Sequence, residues 1–351
     1  MNYVAATDDY QPFSQSKIEL FWHQGTYVTS DMFTILAITS FVAAPADCVG
    51  ALVNYWRHLD AEKAAEEKRP KRIIPYYNNA AAVKEVLQRL VENGLVVKYT
   101  FYPKAPITGK EDLKEDIYFA TGGATRLAKK QLLDVDTGLV DPMDNCGQPD
   151  DAFSACLMAK GMAPFLSEST VKKVTFKRVE TGMKAGENGK DKEKGRFTIR
   201  GMIRFNPNGR KGNFEEDTDV LFEGVTFETN QNVRTLSDKE NAIRKKVKIL
   251  AQFVDRHSAE YPTYVVFVCE DGAGITKLSR IIDEECPELF DRALFTSGTV
   301  LRTSHVMEAP DNLKDCFVAF ERNDDGKIVG VGAYGYSFIE NCNGQGFGSS
   351  L

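Results

Sequence analysis

The stretch NAAAVKEVLQRLVENGLVVKYTFYP, residues 79–103, decides the fold of the N-terminal part of the chain. Apolar residues recur at helical spacing in its first half, and Asn93-Gly94 is typical of a left-handed helix end. The next residues, 95–101, are rich in β-branched and aromatic side chains and predict a strand. Asn78 or Asn79 is the expected N-cap, and the expected buried stripe is Val83, Val86, Leu87, Leu90 and Val91. The stretch therefore predicts a capped amphipathic helix that leads directly into a β-strand.

Two helices are predicted before this stretch, and one more strand after it. The first helix begins near Ser30, its expected N-cap, and ends at the Ala43-Ala44-Pro45 sequence; the second runs from Ala46 to about Lys63. The second strand covers 117–121, and a short basic helix over 125–133 follows it. Three helices followed by a hairpin are the parts of a winged helix-turn-helix. In that fold the third helix enters the major groove of DNA, while the hairpin, or wing, reaches the backbone or the minor groove.

The side of the third helix opposite its apolar stripe offers amide and basic groups, and so does the wing. Amides pair with adenine edges, and arginine pairs with guanine or phosphate. The predicted DNA-binding residues are Asn78, Asn79, Lys84, Gln88 and Arg89 on the helix, Lys98, Lys104, Lys110 and Lys114 on the wing, and Arg126, Lys129 and Lys130 after it. The basic run KRPKR, residues 68–72, is open to three interpretations: a phosphate contact, a flexible arm or a solvated face.

The charge of the chain is unevenly distributed. The whole chain has a net charge of -6, but residues 1–132 hold 16 Lys and Arg against 15 Asp and Glu. The acidity therefore lies in the C-terminal part, and the N-terminal part can carry a local basic face of the kind that phosphate binding needs. Near-neutrality also fits a winged helix that contacts protein instead of DNA, and this alternative stays open.

Cysteine usage and hydropathy predict a cytoplasmic protein. The seven cysteines form no CxxC pair, and their odd number fits no closed disulfide framework, so we expect reduced thiols. The polar start MNYVAATDDYQPF does not have the pattern of a signal peptide. The most apolar stretch, 32–45, is too short to span a bilayer. We therefore expect no membrane partner.

The length of 351 residues favours two domains. The expected layout is an arm at 1–27, a winged-helix domain at 28–133, an acidic linker at 134–150, an α/β domain at 151–340 and a disordered tail at 341–351. In the second domain, helices are predicted at 152–165, 237–257 and 275–285, and strands at 170–179, 196–205, 219–228, 263–269, 293–301, 316–321 and 328–333. The first three strands read as an antiparallel meander, and the fold class is therefore α+β.

Part of the first domain resembles a known family. The block AAVKEVLQRLVENGLVVKYTFYP…DIYFATGGATRLAKKQL, residues 81–132, is similar to the winged-helix half of replication-relaxation-like proteins of plasmids and other mobile elements. Gly94, Leu95, Thr121 and Gly123 stand at the matching places. The resemblance implies a DNA-binding replication accessory or transcription regulator of a mobile element. Its implied partners are double-stranded DNA, a second copy as a homodimer, and replication or conjugation proteins.

The same family implies a restriction-endonuclease-like second domain, and the resemblance falls on 219–282. An active enzyme of that class needs an Asp on one strand and a Glu-x-Lys pair on the next, which together hold Mg²⁺. Here Glu228-Thr229-Asn230 stands at the place of the pair, and the strand at 201–205 has no Asp. We therefore expect a degenerate, non-catalytic domain without a cofactor, which supplies dimerisation or partner contacts. The alternative is a Mg²⁺-dependent nuclease, with a site drawn from Asp219, Glu223, Glu228, Lys245 and Lys246.

Two other kinds of chemistry have little support in the sequence. The four histidines, at 23, 58, 257 and 305, are not paired at metal-binding spacing, so no metal site is predicted. The sequence Gly272-Ala273-Gly274 follows a strand but does not have the spacing of a phosphate-binding loop, and it predicts a tight turn.

Overall fold

The computed structural model describes residues 2–5, 29–102, 115–124, 128, 149–176, 201–227, 236–301 and 316–334. The chain divides into two compact units, and the boundary lies between Ser167 and Glu168. Both units contain helices and strands, which confirms the α+β class. Among the described residues, no helix combines the length and the apolar character needed to cross a bilayer.

In its described residues, the first unit contains four helices of 13 or more residues and a four-stranded antiparallel sheet. Its helices are α1 (Thr29–Phe41), α2 (Ala46–Glu66), α3 (Ala80–Glu92) and α4 (Pro149–Met162). Its strands are β1 (Asn2–Ala5), β2 (Ala43–Ala44), β3 (Val96–Tyr102) and β4 (Glu115–Ala120). The order across the sheet is β1-β3-β4-β2. The three predicted helices and the predicted hairpin are therefore present, with β2 inserted between the first two helices.

Helix α3 is built as its sequence predicts. The Asn79 side chain accepts a hydrogen bond from the backbone N–H of Ala82 at 3.0 Å and caps the first turn. At the other end Gly94 adopts a φ of 68°, the left-handed conformation that glycine takes without strain. Four of the five expected stripe residues are buried, namely Val83, Val86, Leu87 and Leu90. This stripe packs against α1 and α2 and fixes which side of α3 faces outward.

Helix α1 starts and ends differently from its prediction. Ser30 lies inside the helix and is therefore not its N-cap. The helix ends at Phe41, Val42 adopts a φ of 75°, and Ala43–Ala44 then pair with strand β4. Two alanines have no strand preference of their own, so only the neighbouring β4 makes this segment a strand. For that reason β2 could not be predicted from the sequence.

Two further local predictions were wrong. Residues 2–5, expected in an irregular arm, pair with β3 as an additional strand; the rest of the arm lies outside the described residues. The helix after the hairpin was predicted from Thr125, but it already begins at Gly122. Its start is fixed by Thr121, whose hydroxyl accepts a hydrogen bond from the backbone N–H of Ala124 at 3.3 Å.

Helix α4 belongs to the first unit, whereas the sequence analysis placed it in the second domain. It is buried on almost every side and packs on β2 and α1. A helix that is apolar all round belongs in a core, and the core within reach is that of the first unit. The domain boundary therefore follows α4. The predicted linker residues 134–148 and the predicted tail lie outside the described residues.

The second unit contains a seven-stranded mixed sheet in the order β11-β10-β9-β8-β7-β6-β5. Pairs β7–β8 and β8–β9 are parallel, and the remaining pairs are antiparallel. The strands are β5 (Val171–Thr175), β6 (Gly201–Phe205), β7 (Thr218–Val225), β8 (Thr263–Cys269), β9 (Ala293–Ser297), β10 (Phe317–Arg322) and β11 (Ile328–Tyr334). Helix α5 (Leu236–His257) connects β7 to β8, and α6 (Gly272–Glu285) connects β8 to β9.

The core of the second unit lies between the parallel strands and the two helices. The predicted stripe of α5, Ile243, Val247, Leu250 and Val254, packs with β8 and α6 in one apolar cluster. All seven residues of β8 are buried, as predicted. The glycines at 272 and 274 form the first turn of α6 and not a separate tight turn, because the Asp271 carboxylate accepts from the backbone N–H of Gly274 at 2.8 Å.

The first unit holds a group of ionisable side chains in its core. Lys160 of α4 is buried and forms an ion pair with Glu115 of β4. Asp47, in the first turn of α2, is also buried, and among the described residues its Oδ2 has no hydrogen-bond partner. Burial, followed by the nearby Glu115 carboxylate, raises the pKa of Asp47 to about 8. Asp47 is therefore largely protonated in the folded protein at neutral pH.

This raised pKa makes the stability depend on pH. The stabilising effect of a protonated Asp47 is complete below about pH 4, the ordinary aspartate range, and is lost as the pH rises through about 8. We expect Asp47→Asn to raise the free energy of unfolding by about a few kcal/mol at about pH 9, with little effect at about pH 4. Urea titrations at both pH values measure this change. Exposed Asp255→Asn is the control. An equal effect of Asp47→Asn at both pH values would contradict the assignment.

Candidate nucleic-acid interface

The outward side of α3 is the first part of the interface that the sequence predicted. Asn78, Lys84, Gln88 and Arg89 are all exposed, as expected. Asn79 is exposed too, but its side chain is already engaged as the N-cap. The same side also carries the exposed carboxylates of Glu85 and Glu92. The formal charges on this side of α3 therefore cancel.

Two of these polar side chains are held by neighbours within the first unit. The Arg89 guanidinium donates to the buried carboxylate of Asp31, on α1, at 2.6 Å. The Gln88 amide donates to Glu92 at 3.2 Å, one helical turn further on. Arg89 therefore joins α3 to α1 and has a structural task. For Lys84, the other exposed cation of this side, no such contact is found among the described residues.

The wing is only partly described. Lys98 lies on β3 and pairs with Asp116 of β4, the Nζ–Oδ2 distance being 3.0 Å. Asp116 also accepts a hydrogen bond from the hydroxyl of Thr100 at 2.8 Å. Lys98 therefore also ties the two strands together. The other predicted wing and basic-turn residues lie outside the described residues: Lys104, Lys110, Lys114, Arg126, Lys129 and Lys130.

The KRPKR run lies in the connector between α2 and α3, which we define as residues 67–79. Asp60 of α2 accepts hydrogen bonds from the Arg69 guanidinium and from the backbone N–H of Arg72, both at 2.7 Å. These bonds are inconsistent with the flexible-arm interpretation of the run. The sequence analysis missed three exposed residues beside the cations: Arg57, Ile73 and Tyr76. Ile73 and Tyr76 had little signal because an apolar residue in a connector ordinarily predicts burial, and Arg57 of α2 meets Tyr76 only in the folded chain.

Two of the candidate nuclease residues, Asp219 and Glu223, lie at different places on β7. Asp219 is fully buried and accepts two hydrogen bonds from the Arg204 guanidinium, both at 2.7 Å, while Nε2 of His257 lies 2.9 Å from its Oδ2. Glu223 pairs with Lys246 of α5. Lys245 is exposed, and Glu228 lies outside the described residues. Asp219 and Glu223 are thus engaged with cations of their own unit.

Arg204 belongs to a wider polar network at one end of β5, β6 and β7. Its guanidinium carbon lies 3.9 Å from the ring centroid of Tyr261 and its Nη1 lies 3.9 Å from the carboxylate of Asp217. Lys172 of β5 donates to Asp217 at 2.8 Å. Burial alone would raise the pKa of Asp219, but the hydrogen bonds from Arg204 and His257 outweigh it and hold this pKa below its ordinary value. These charges pair across three strands and stabilise their register.

Neither the described side chains nor the comparisons with known proteins identify a reaction. In the described part of the chain, no group of three or more His, Cys, Asp or Glu residues is placed to hold a metal ion. Comparisons of the chain with family models, with curated proteins and with solved structures found no match. A functional assignment therefore depends on the geometry of the two units.

The Arg89–Asp31 pair makes a prediction about stability. Removing the guanidinium leaves the Asp31 carboxylate buried without this donor, so we expect Arg89→Ala to lower the free energy of unfolding by about 1–3 kcal/mol. Lys84→Ala, on the same side of α3, should change it by less than about 0.5 kcal/mol. Urea denaturation compares the two variants. Equal stabilities would show that Arg89 has no structural task.

The Asp219 network makes a second prediction. Asp219→Asn removes the buried charge that accepts both hydrogen bonds from Arg204, and we expect a loss of about 3 kcal/mol of unfolding free energy at neutral pH. Because the folded pKa of Asp219 is lowered, its contribution is present above about pH 4 and disappears as the pH falls through that lowered pKa. Denaturation at neutral and acid pH measures it, with exposed Asp255→Asn as the matched control. If Asp219→Asn and Asp255→Asn lowered the unfolding free energy by the same amount, this would argue against the network.

Proposed function

We propose that the first unit is a winged helix that binds double-stranded DNA through α3 and the β3–β4 hairpin. The observation that carries the proposal is the placement of α3. Its apolar stripe is packed against α1 and α2, its outer side is exposed, and Gly94 leads it directly into the hairpin. A capped helix backed by two others and followed by a β-ribbon is the arrangement with which winged helices enter the major groove.

The pairing of β2 with β4 gives the proposal further support. The element order is helix, short strand, helix, helix and hairpin, and the short strand closes the sheet beside the second hairpin strand. This closure attaches the hairpin to the helices and sets where a wing would lie. The lysine Lys98 on β3 and the neighbouring α3 would then face the same duplex.

The charge of the α3 side limits what such an interface could do. Its formal charges cancel, so attraction to phosphates must come largely from other parts of the unit. A winged helix that contacts another protein remains the second candidate, and the neutral α3 side is the observation that favours it.

For the second unit we propose a non-catalytic, restriction-endonuclease-like domain that supplies dimerisation or partner contacts. The order of β5, β6 and β7, followed by α5, β8 and α6, is the order that this fold requires. The engagement of Asp219 with Arg204 and His257 supports a structural use of the carboxylate that a nuclease would need for Mg²⁺.

The setting of the proposed activity is inferred from the cysteines and from the resemblance over 81–132. We propose a cytoplasmic protein, since Cys48, Cys156, Cys269, Cys286 and Cys316 are free thiols. The resemblance over 81–132 extends the proposal to replication, regulation or transfer of a mobile element, with replication or conjugation proteins as further partners.

A DNA-binding measurement tests the proposal. We expect the full chain to bind a labelled random duplex with an affinity that falls steeply as salt rises, because phosphate contacts release counterions. Lys84→Ala should lower the affinity and reduce the slope of log K against log salt by about 0.9, the value for one phosphate contact. Fluorescence anisotropy over a salt series measures both. Lys327→Ala, an exposed lysine of the second unit, is the matched control.

The same samples separate the alternatives. No binding at low salt would contradict the proposal and favour the protein-contact module. Cleavage of the duplex on addition of Mg²⁺, abolished by Glu228→Ala, would contradict the non-catalytic assignment of the second unit.

A further inference from the structure

The connector between α2 and α3 is fixed at several points to the helices around it. Near its start, Asp60 holds the Arg69 side chain and the backbone of Arg72. Near its end, Asn54 of α2 exchanges two hydrogen bonds with the backbone of Tyr77, each 2.9 Å long. Ile74, which lies between these two points, is buried, and so is Tyr77. The connector therefore has one defined conformation and presents a defined set of side chains.

The outward side chains of the connector are mainly cationic, apolar and aromatic, and its exposed carboxylate, Glu67, pairs with Arg69. Ile73 is 84% exposed and Tyr76 59% exposed, the two highest values among the large apolar residues of the described chain. Lys68 and Lys71 are exposed beside them. The Arg57 guanidinium of α2 lies over the Tyr76 ring, 5.3 Å from its centroid. Exposed apolar side chains on a fixed segment are typical of a contact surface.

The backbone at Lys68 is fixed by the way in which α2 ends. Lys68 adopts a φ of 52°, a left-handed conformation that lysine seldom takes. The backbone N–H of the next residue, Arg69, donates a hydrogen bond to the carbonyl of Ala64. A left-handed residue followed by this hydrogen bond is a common end of a helix, and it fixes the direction in which the connector leaves α2.

We propose that the connector surface, formed by Arg57, Lys68, Lys71, Ile73 and Tyr76, binds the phosphodiester backbone of the duplex that α3 contacts. Arg57 against the Tyr76 ring, together with two exposed lysines on the same connector, fits a phosphate-rich polymer, with Tyr76 and Ile73 packing on sugar or base edges. The connector also leads directly into the N-cap of α3, so both surfaces can meet one duplex. It supplies the positive charge that the neutral outer side of α3 does not. This inference rests on the proposed function and adds a second, non-sequence-reading contact to it.

Charge removal is the first test. In the full chain, the double variant Lys68→Ala/Lys71→Ala should weaken binding to a random duplex roughly ten-fold at low salt. It should also reduce the slope of log K against log salt by about 1.8, the value for two phosphate contacts. The matched control, Lys211→Ala/Lys327→Ala, removes two exposed lysines of the second unit and should leave the affinity and the slope almost unchanged. Thermal melting checks that each variant is folded.

A second variant separates geometry from charge. Asp60→Ala removes a negative charge, so simple electrostatics predicts tighter DNA binding. We expect the opposite result, weaker binding, because Asp60 holds the connector in place. Tighter binding would contradict this role of Asp60. Tyr76→Ala should also weaken binding, whereas Tyr76→Phe should retain it because the ring is preserved.

The outcomes distinguish this inference from the proposed function. If the wild type binds duplex and Lys68→Ala/Lys71→Ala binds it equally well with an unchanged salt slope, the connector surface is not a DNA contact, although the proposed function stands. If the wild type binds no duplex, both proposals fail. If it binds poly-glutamate in place of duplex, the connector is a site for an acidic protein and the inference is overturned.

Discussion

The packing of one side of α3 against α1 and α2 is the constraint on which the first unit depends. Burial of Val83, Val86, Leu87 and Leu90 removes the apolar side of a short helix from water and sets its rotation. An isolated helix of 13 residues is marginal in water, so this packing also stabilises it. Everything that the outer side presents, including Lys84 and Gln88, follows from that rotation.

Polar contacts around α3 restrict its position further. They also engage some of its polar side chains, which are then not available to a ligand. Asn79 caps the helix, Arg89 joins it to Asp31, and Asn54 anchors the chain just before it. These side chains are thereby engaged in holding the fold. The side chains that remain available to a ligand are a small exposed group on α3 and a more cationic group on the connector. The connector therefore carries the positive charge that the α3 side does not.

The sequence was sufficient for the features set by local patterns. The cap and stripe of α3 followed from Asn79, Gly94 and the helical spacing, and the buried strand β8 from its unbroken apolar run. Features set by partners distant in the chain could not be predicted. Ala43 becomes a strand residue only because β4 lies beside it, and the connector is fixed by Asp60 across 9 and 12 residues. Asp219 likewise meets His257 only after folding, 38 residues apart.

Chemical footprinting of lysines tests whether α3 and the connector contact duplex DNA together. The full chain is acetylated with and without excess duplex, and each lysine is quantified by mass spectrometry. The account predicts that duplex protects Lys84 of α3 together with Lys68 and Lys71 of the connector, while Lys211 and Lys327 of the second unit react as before. Protection confined to lysines of the second unit, or no protection at all, would contradict it.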